Sequence, residues 1–376
     1  MNRISLGVAA LLASSAAVSA GGLDRSGQPI DILFEDGRVA QFSFGFSSPS
    51  VNGTEVTGAA TGSVADSFST FGAGVKFDIS KKLSFAFILD EPFGSDVTYP
   101  GSGATSLLGG TRAIVDSNAY TALLRYKFND NFSIHGGPRY QTTSANLTLS
   151  GQALGALNGY NASFSNDGAL GYVAGASFEK PEIALRVSLT YNSQIDHDFD
   201  TVETNVPLLG TLNSTTQIST PESWNLDFQT GVAANTLLFG SLRYGKNSDT
   251  QVSPQGFDAV VNPGVAGDSV SDIEDSLDYE IGLARRFNDK WSGSIAIGLS
   301  TSDGDNLVSP LSPSDGFRYV SVGAQYELSD QVSLRGGIRY TDLGDAIGAV
   351  GAADTPVANF NGNSAVSAGF QVSYRF

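Results

Sequence analysis

Read back from the carboxyl terminus, every second residue of SAGFQVSYRF is apolar. Phe376, Tyr374, Val372, Phe370 and Ala368 alternate with Arg375, Ser373, Gln371 and Gly369. The same period recurs along the chain. NAYTALLRYKF places Tyr120, Ala122, Leu124, Tyr126 and Phe128 on one face and Thr121, Arg125 and Lys127 on the other. IALRVSLTYNSQ sets Ile183, Leu185, Val187, Leu189 and Tyr191 against Arg186, Ser188, Thr190 and Asn192, and KWSGSIAIGLS and QVSLRGGIRYT repeat the pattern. Alternation over about ten residues predicts strands with one apolar face. About ten residues is also the length at which a tilted strand crosses a bilayer.

Counted this way, the chain predicts about fourteen strands, near 39–48, 67–79, 82–90, 113–128, 132–147, 168–179, 182–195, 222–233, 235–245, 276–287, 290–300, 317–327, 331–342 and 365–376. Short turns (DISKK, NDN, EKPE, AAN, NDK and LSDQ) join them at one end. Asn and Asp suit such turns because their side chains bond the local backbone. At the other end lie long polar segments, 49–65, 91–112, 148–167, 196–221, 245–275, 301–316 and 343–364, which read as loops. Short turns opposite long loops is the asymmetry of an outer-membrane barrel. An open sheet edge in hydrocarbon would leave backbone groups unsatisfied, so the last strand is expected to pair with the first. The predicted fold is therefore all-β, a transmembrane antiparallel β-barrel of about fourteen strands. A soluble sandwich or secreted adhesin would explain the alternation. It would not explain the turn asymmetry together with aromatics at strand ends (Phe77, Tyr126, Phe128, Phe178, Phe287, Trp291, Tyr326).

Composition narrows the picture. The chain has no cysteine, which excludes disulfides, thiolate metal sites and a cysteine nucleophile. A net charge of −17 argues against nucleic acid as a partner. MNRISLGVAALLASSAAVSA carries one cation, a short apolar core and a Val-Ser-Ala end, so residues 1–20 read as a signal peptide cleaved after Ala20. The apolar core is too short for a spanning helix, which needs about 20 residues. The organisation that follows is 1–20 signal peptide, 21–38 a separate N-terminal segment, and 39–376 the barrel.

With the apolar face toward lipid, the lumen receives a polar network that includes Arg125, His135, Arg139, Arg186, Arg335 and Arg339. The bland alternative is a solvated structural lumen. Catalysis is not expected. The two histidines, His135 and His197, have no GxSxG elbow beside them, and no cofactor motif is present. Two acidic clusters, DHDFD (Asp196, His197, Asp198, Asp200) and DSVSDIEDSLD (Asp268, Asp272, Glu274, Asp275, Asp278), offer hard oxygen ligands without a defined spacing. They read as solvated loops, and no metal site is expected.

The segment GGLDRSGQPIDILFEDG, before the first strand, has Ile30, Ile32, Leu33 and Phe34 to bury, and the lumen is the place for them. Here the chain resembles the FadL/TodX family of outer-membrane transporters of hydrophobic compounds. The resemblance is carried by GLDRSGQPIDILFEDG, by FSFGFSSPSVNGTEV leading out of the first strand, by LDEPFGSDVTYPG after the third, and by the strand count. It implies a fourteen-stranded barrel with an N-terminal luminal plug, or hatch, formed here by Gln28, Pro29, Ile30, Ile32, Leu33 and Phe34. Gln28-Pro29-Ile30 stands where the family commonly has Asn-Pro-Ala. The resemblance also implies passive uptake of a hydrophobic ligand, most of all a long-chain fatty acid, with sideways exit at a kinked third strand. Ile88, Asp90, Glu91 and Pro92 occupy that position. Proline cannot donate to the ladder, so pairing is expected to break near Pro92. Ile88 lies on the face expected to be polar. Apolar patches on polar loops are candidates for capture: Leu154, Leu157 and Tyr160 in one segment, Val206, Leu208, Leu209 and Leu212 in another, with Leu107 and Leu108 as a smaller third. The terminal aromatic strand resembles the signal read by the β-barrel assembly machinery, and outer-membrane lipid is the expected surround. The alternative function is a general diffusion porin or a structural barrel.

Overall fold

The computed structural model describes residues 23–261, 269–271, 273–302, 306–351 and 354–376. The expected signal peptide, 1–20, lies outside the described residues. The alternating segments form β1 (Val39–Ser50), β2 (Phe68–Asp78), β3 (Leu83–Asp90, resuming at Gly94–Thr98), β4 (Arg112–Lys127), β5 (Phe132–Leu149), β6 (Tyr160–Lys180) and β7 (Leu185–Asn192, continued by Ile195–Val206). The ring goes on through β8 (Gly210–Thr220, continued by Ser223–Ala233), β9 (Thr236–Gly245), β10 (Ser276–Arg286), β11 (Trp291–Ser302), β12 (Phe317–Glu327), β13 (Val332–Leu343) and β14 (Ser364–Arg375).

Each strand pairs antiparallel with the next, and the sheet closes as a 14-strand barrel. β14 meets β1 with Phe44 opposite Phe370 and Phe42 opposite Val372, so the aromatic end of the chain is the closing seam. The lipid-facing residues alternate as expected: Phe42, Phe44, Phe46, Ile295, Ile297, Leu299, Val322, Ile338 and Phe370 are exposed on the outer wall. Around the short turns Phe77, Tyr126, Phe128, Phe132, Phe287, Trp291, Tyr374 and Phe376 form one aromatic girdle. Tyr120, Tyr140, Tyr172, Tyr191 and Trp224 form a second toward the long-loop end, with ring centroids 4.8 Å apart between Tyr191 and Trp224. Amphipathic rings favour the two membrane interfaces, and these girdles mark them.

Two of the expected loops are partly or mostly strand. Segment 196–221 belongs mostly to β7 and β8, and residues 160–167 of segment 148–167 to β6, whereas 150–159 stay a loop with one 3-10 turn; these strands rise past the upper girdle as a tall rim. IDHDFDTVETNV keeps a strict period of two in burial from Ile195 to Glu203, with Ile195, His197, Phe199, Thr201 and Glu203 turned inward. Its outward residues are polar apart from Val202, because no lipid faces them there. The hydrophobic alternation fades while backbone pairing continues.

The remaining outer segments build a cap. Asn52–Glu55, Ala60–Ser63, Leu307–Val308, Ala346–Val350 and Thr355–Phe360 make a second, small sheet. Its core joins Val51, Val64, Val97, Tyr99, Leu108, Phe317, Val357 and Phe360. One short helix, α1 (Gln255–Val261), packs against the rim.

Candidate lumen and loop binding site

The segment before β1 runs along the inner wall. DILF makes a 3-10 turn, Asp31–Phe34, that buries Ile32 and Leu33. Ile30, Ile32 and Leu33 pack on inward-facing Ala86, Ile88, Leu123 and Val173 of β3, β4 and β6. The apolar Ile88 on a polar face is thereby explained: it meets the segment, not water. Gly74 of β2 permits the approach, since a Cβ there would lie 2.8 Å from the Ile32 Cδ1.

Ion pairs tie the same segment around the ring. Arg243 Nε donates to Asp24 at 2.7 Å, and Arg186 to Asp31 at 3.1 Å. Glu35 lies 3.3 Å from Arg375 and 3.6 Å from Arg335. Phe34 is held between two guanidiniums, those of Arg125 and Arg186, each 4.5 Å from its ring centroid. His135 meets Phe34 edge-on at 5.9 Å. Gln28 Oε1 accepts from Ser223 at 3.0 Å, and the Gly27 carbonyl from Asn225 at 2.9 Å. The expected polar network therefore divides. Arg125, His135, Arg186 and Arg335 touch the segment. Arg139 donates instead to Thr121 and Asn192 within the wall, and Arg339 lies over Tyr319 beside Glu280. Sequence reasoning missed Asp24, Glu35 and the anchoring roles of Arg243 and Arg375. The available signal was acids in the N-terminal segment facing inward arginines on strands.

β3 breaks where Pro92 stands. β2 and β3 pair only from Asp78 to Ala73, which leaves Phe68–Gly72 without a β3 partner. The Glu91 carboxylate accepts instead from the Phe71 N–H at 3.1 Å. Pro29, Ile32, Gly72, Ile88, Asp90 and Glu91 line a cavity there of about 110 Å3. The N-terminal segment also pairs with the break itself. Arg25 N–H donates to the Pro92 carbonyl and Gly94 N–H to the Leu23 carbonyl, both at 2.8 Å. Ser26 donates to Asp90 at 2.7 Å.

Above the break, inside the rim, lies an apolar cavity of about 110 Å3. Leu23, Phe93, Leu147, Phe164, Phe199 and Ile218 line it. Farther out, a groove of about 830 Å3 is lined by Leu107, Leu154, Leu157, Val260, Val308 and Val350. Val270 and Leu311 border both spaces.

The expected capture residues separate accordingly. Leu154 and Leu157 line the groove. Tyr160 and Val206 are buried and Leu212 packs beside them, so these are rim core and not exposed capture surface. Leu208 and Leu209 are exposed at the hairpin tip, outside the groove's lining. Tyr160 donates to the buried Glu203 carboxylate at 2.7 Å, and Glu203 also accepts from the Gly256 and Phe257 N–H groups at the start of α1. That contact fixes the helix carrying Val260 to the groove wall.

The DHDFD cluster does not converge. Strand alternation turns Asp196, Asp198 and Asp200 outward and His197 inward. Asp268 and Asp272 lie outside the described residues. Among the described residues no group of three or more His, Asp or Glu could hold a metal ion.

A family model described as outer membrane protein transport protein (OMPP1/FadL/TodX) matches residues 47–347, well over half of the chain. The fold is similar to that of a Pseudomonas aeruginosa FadL homologue, with a TM-score of 0.74, 13% identity and 98% of each chain covered. The Pseudomonas putida toluene transporter TodX matches with a TM-score of 0.67 and 12% identity over 96% of this chain and 98% of its own. The Ralstonia pickettii toluene transporter TbuX gives 0.62 and 14% over 92% and 91%. No curated protein matches. A closed strand barrel with a lipid-facing apolar wall and a matched family model together place this chain in the OMPP1/FadL/TodX family of outer-membrane transport proteins.

Proposed function

We propose that this protein is a passive channel for inward movement of hydrophobic small molecules. The outer groove captures the molecule, the rim cavity holds it, and the interruption of β3 releases it sideways between β2 and β3. Residues 21–38 act as the hatch that closes this route from below. One observation carries the reading: Leu23 and Phe93 line the apolar cavity, and at the β3 break the Leu23 carbonyl accepts from the Gly94 N–H while Phe93 is the bridge partner of Asp24, so cavity, segment and break share residues. The cavity's described lining contains no lysine or arginine. We therefore favour uncharged hydrophobic molecules over the long-chain fatty-acid anion that the sequence suggested. The toluene transporters that share the fold are named for a ligand of this kind.

Cells lacking and then regaining the protein should differ in uptake of labelled toluene, with a smaller difference for a long-chain fatty acid. Unchanged uptake of both would overturn the proposal. Swelling of proteoliposomes in sugar solutions would favour the diffusion-porin alternative.

A further inference from the structure

His197 is the one titratable side chain among the described residues lining the apolar cavity. It lies above the upper aromatic girdle, and burial holds its pKa below the ordinary histidine value, which keeps the ring neutral. Its Nδ1 is 3.0 Å from an Asp167 carboxylate oxygen. A carboxylate accepts, so the ring proton sits on Nδ1 and Nε2 offers a lone pair. Phe199 stacks on the ring at 5.6 Å and fixes its plane.

The company of Nε2 is loose. Gln141 Nε2 is 3.3 Å away and Thr143 Oγ1 3.5 Å. The same Gln141 nitrogen is 3.2 Å from Thr143 Oγ1 and 3.3 Å from Thr220 Oγ1. An amide has two N–H groups, and here three acceptors face them. Gln141 is fully buried, and its Oε1 has no hydrogen-bond partner. Thr143 and Thr220 line the cavity beside His197. A polar node with unused capacity thus stands in the wall of an otherwise apolar space. The contacts of His197 Nε2 are long, and a ligand hydroxyl that met it at a shorter distance would gain accordingly.

We propose that His197, with Thr143, Gln141 and Thr220, determines specificity for a neutral hydroxyl on an otherwise hydrophobic ligand, such as a phenol or an alkanol. The inference rests on the transport reading above and names its substrate class. The ligand O–H donates to His197 Nε2, and its oxygen accepts from Thr143 Oγ1, both of which line the cavity, while Gln141 behind them holds the node together. The hydrocarbon body lies against Phe164, Phe199 and Leu147. A plain hydrocarbon leaves the node unmatched. A carboxylate brings a second negative charge toward Asp167 with no cation to meet it.

The test uses p-cresol and p-xylene, nearly equal in shape, one bearing a hydroxyl where the other bears a methyl. Binding to the full-length protein in detergent is measured by equilibrium dialysis against protein-free micelles, which corrects for partition. The protein should prefer p-cresol by about tenfold beyond partition, the worth of one well-placed hydrogen bond. His197→Phe keeps a ring, removes both nitrogens and should bring the ratio to about one while p-xylene stays bound. Thr143→Val should lower it in the same direction and serves alone if His197→Phe does not fold. A ratio near one in the unaltered protein, or an unchanged ratio in folded variants, overturns the proposal and leaves the transport reading standing. Failure of the unaltered protein to bind either compound overturns both.

Discussion

Leu33→Ala tests whether the N-terminal segment is held in the lumen by its apolar seat. Leu33 is fully buried among Ile30, Ile32, Ala86, Ile88, Leu123 and Val173. The wall half of that seat belongs to paired strands that cannot collapse into the vacated space. The substitution should therefore fall in the upper part of the range for buried leucine truncations, about 3–5 kcal/mol. That weakens seating by roughly a hundredfold to a few thousandfold. The barrel's own ladder is untouched, so strand content and heat-modifiable mobility on gels should not change. The readout is conductance in planar bilayers, together with proteolysis of residues 23–38. The variant should show frequent openings and faster cleavage than the unaltered protein. Ile88→Ala removes part of the same contact from the wall side and should do likewise, with the double variant adding less than the sum because the two residues share one seat. A folded Leu33→Ala protein with unchanged conductance and unchanged protection would refute the reasoning: the ion pairs alone would then hold the segment.

Two further outcomes are expected. Asp24 and Phe93 are bridge partners in a narrow antiparallel pair, where Cα atoms lie about 4.5 Å apart, within disulfide reach. In this cysteine-free chain, Asp24→Cys with Phe93→Cys should lock the segment to the β3 break on oxidation, and reductant should restore uptake of a hydrophobic probe; equal uptake in both states would show that this junction need not open. Deleting Phe376, whose N–H donates to the Arg38 carbonyl at 3.1 Å at the closing seam, should reduce the amount of folded protein in outer-membrane fractions, and an unchanged yield would remove the terminal aromatic from the assembly signal.

The sequence by itself determined the barrel. A period of two, repeated between short turns and long segments, reports which side of each strand meets lipid, and lipid tolerates only a closed sheet. Every membrane-crossing strand was legible for that reason, as was the break at Pro92, because proline's missing donor is a local property. The rim was not legible. Above the membrane the outward face of β7 and β8 meets no lipid, so IDHDFDTVETNV reads as polar loop although its backbone is paired from Ile195 to Glu203. Nor was the interior. Asp24 and Arg243 are 219 residues apart and meet only because closure brings β9 beside the N-terminal segment. Tyr160 and Val206, which look like sticky loop residues, lie buried in one rim core with Phe257. His197 shares a short acidic run with Asp196 and Asp198, yet alternation sends it alone into the cavity. Which side of a strand a residue occupies is local and written in the pattern. What waits on that side is set by strands far away in sequence, and only the closed ring decides it.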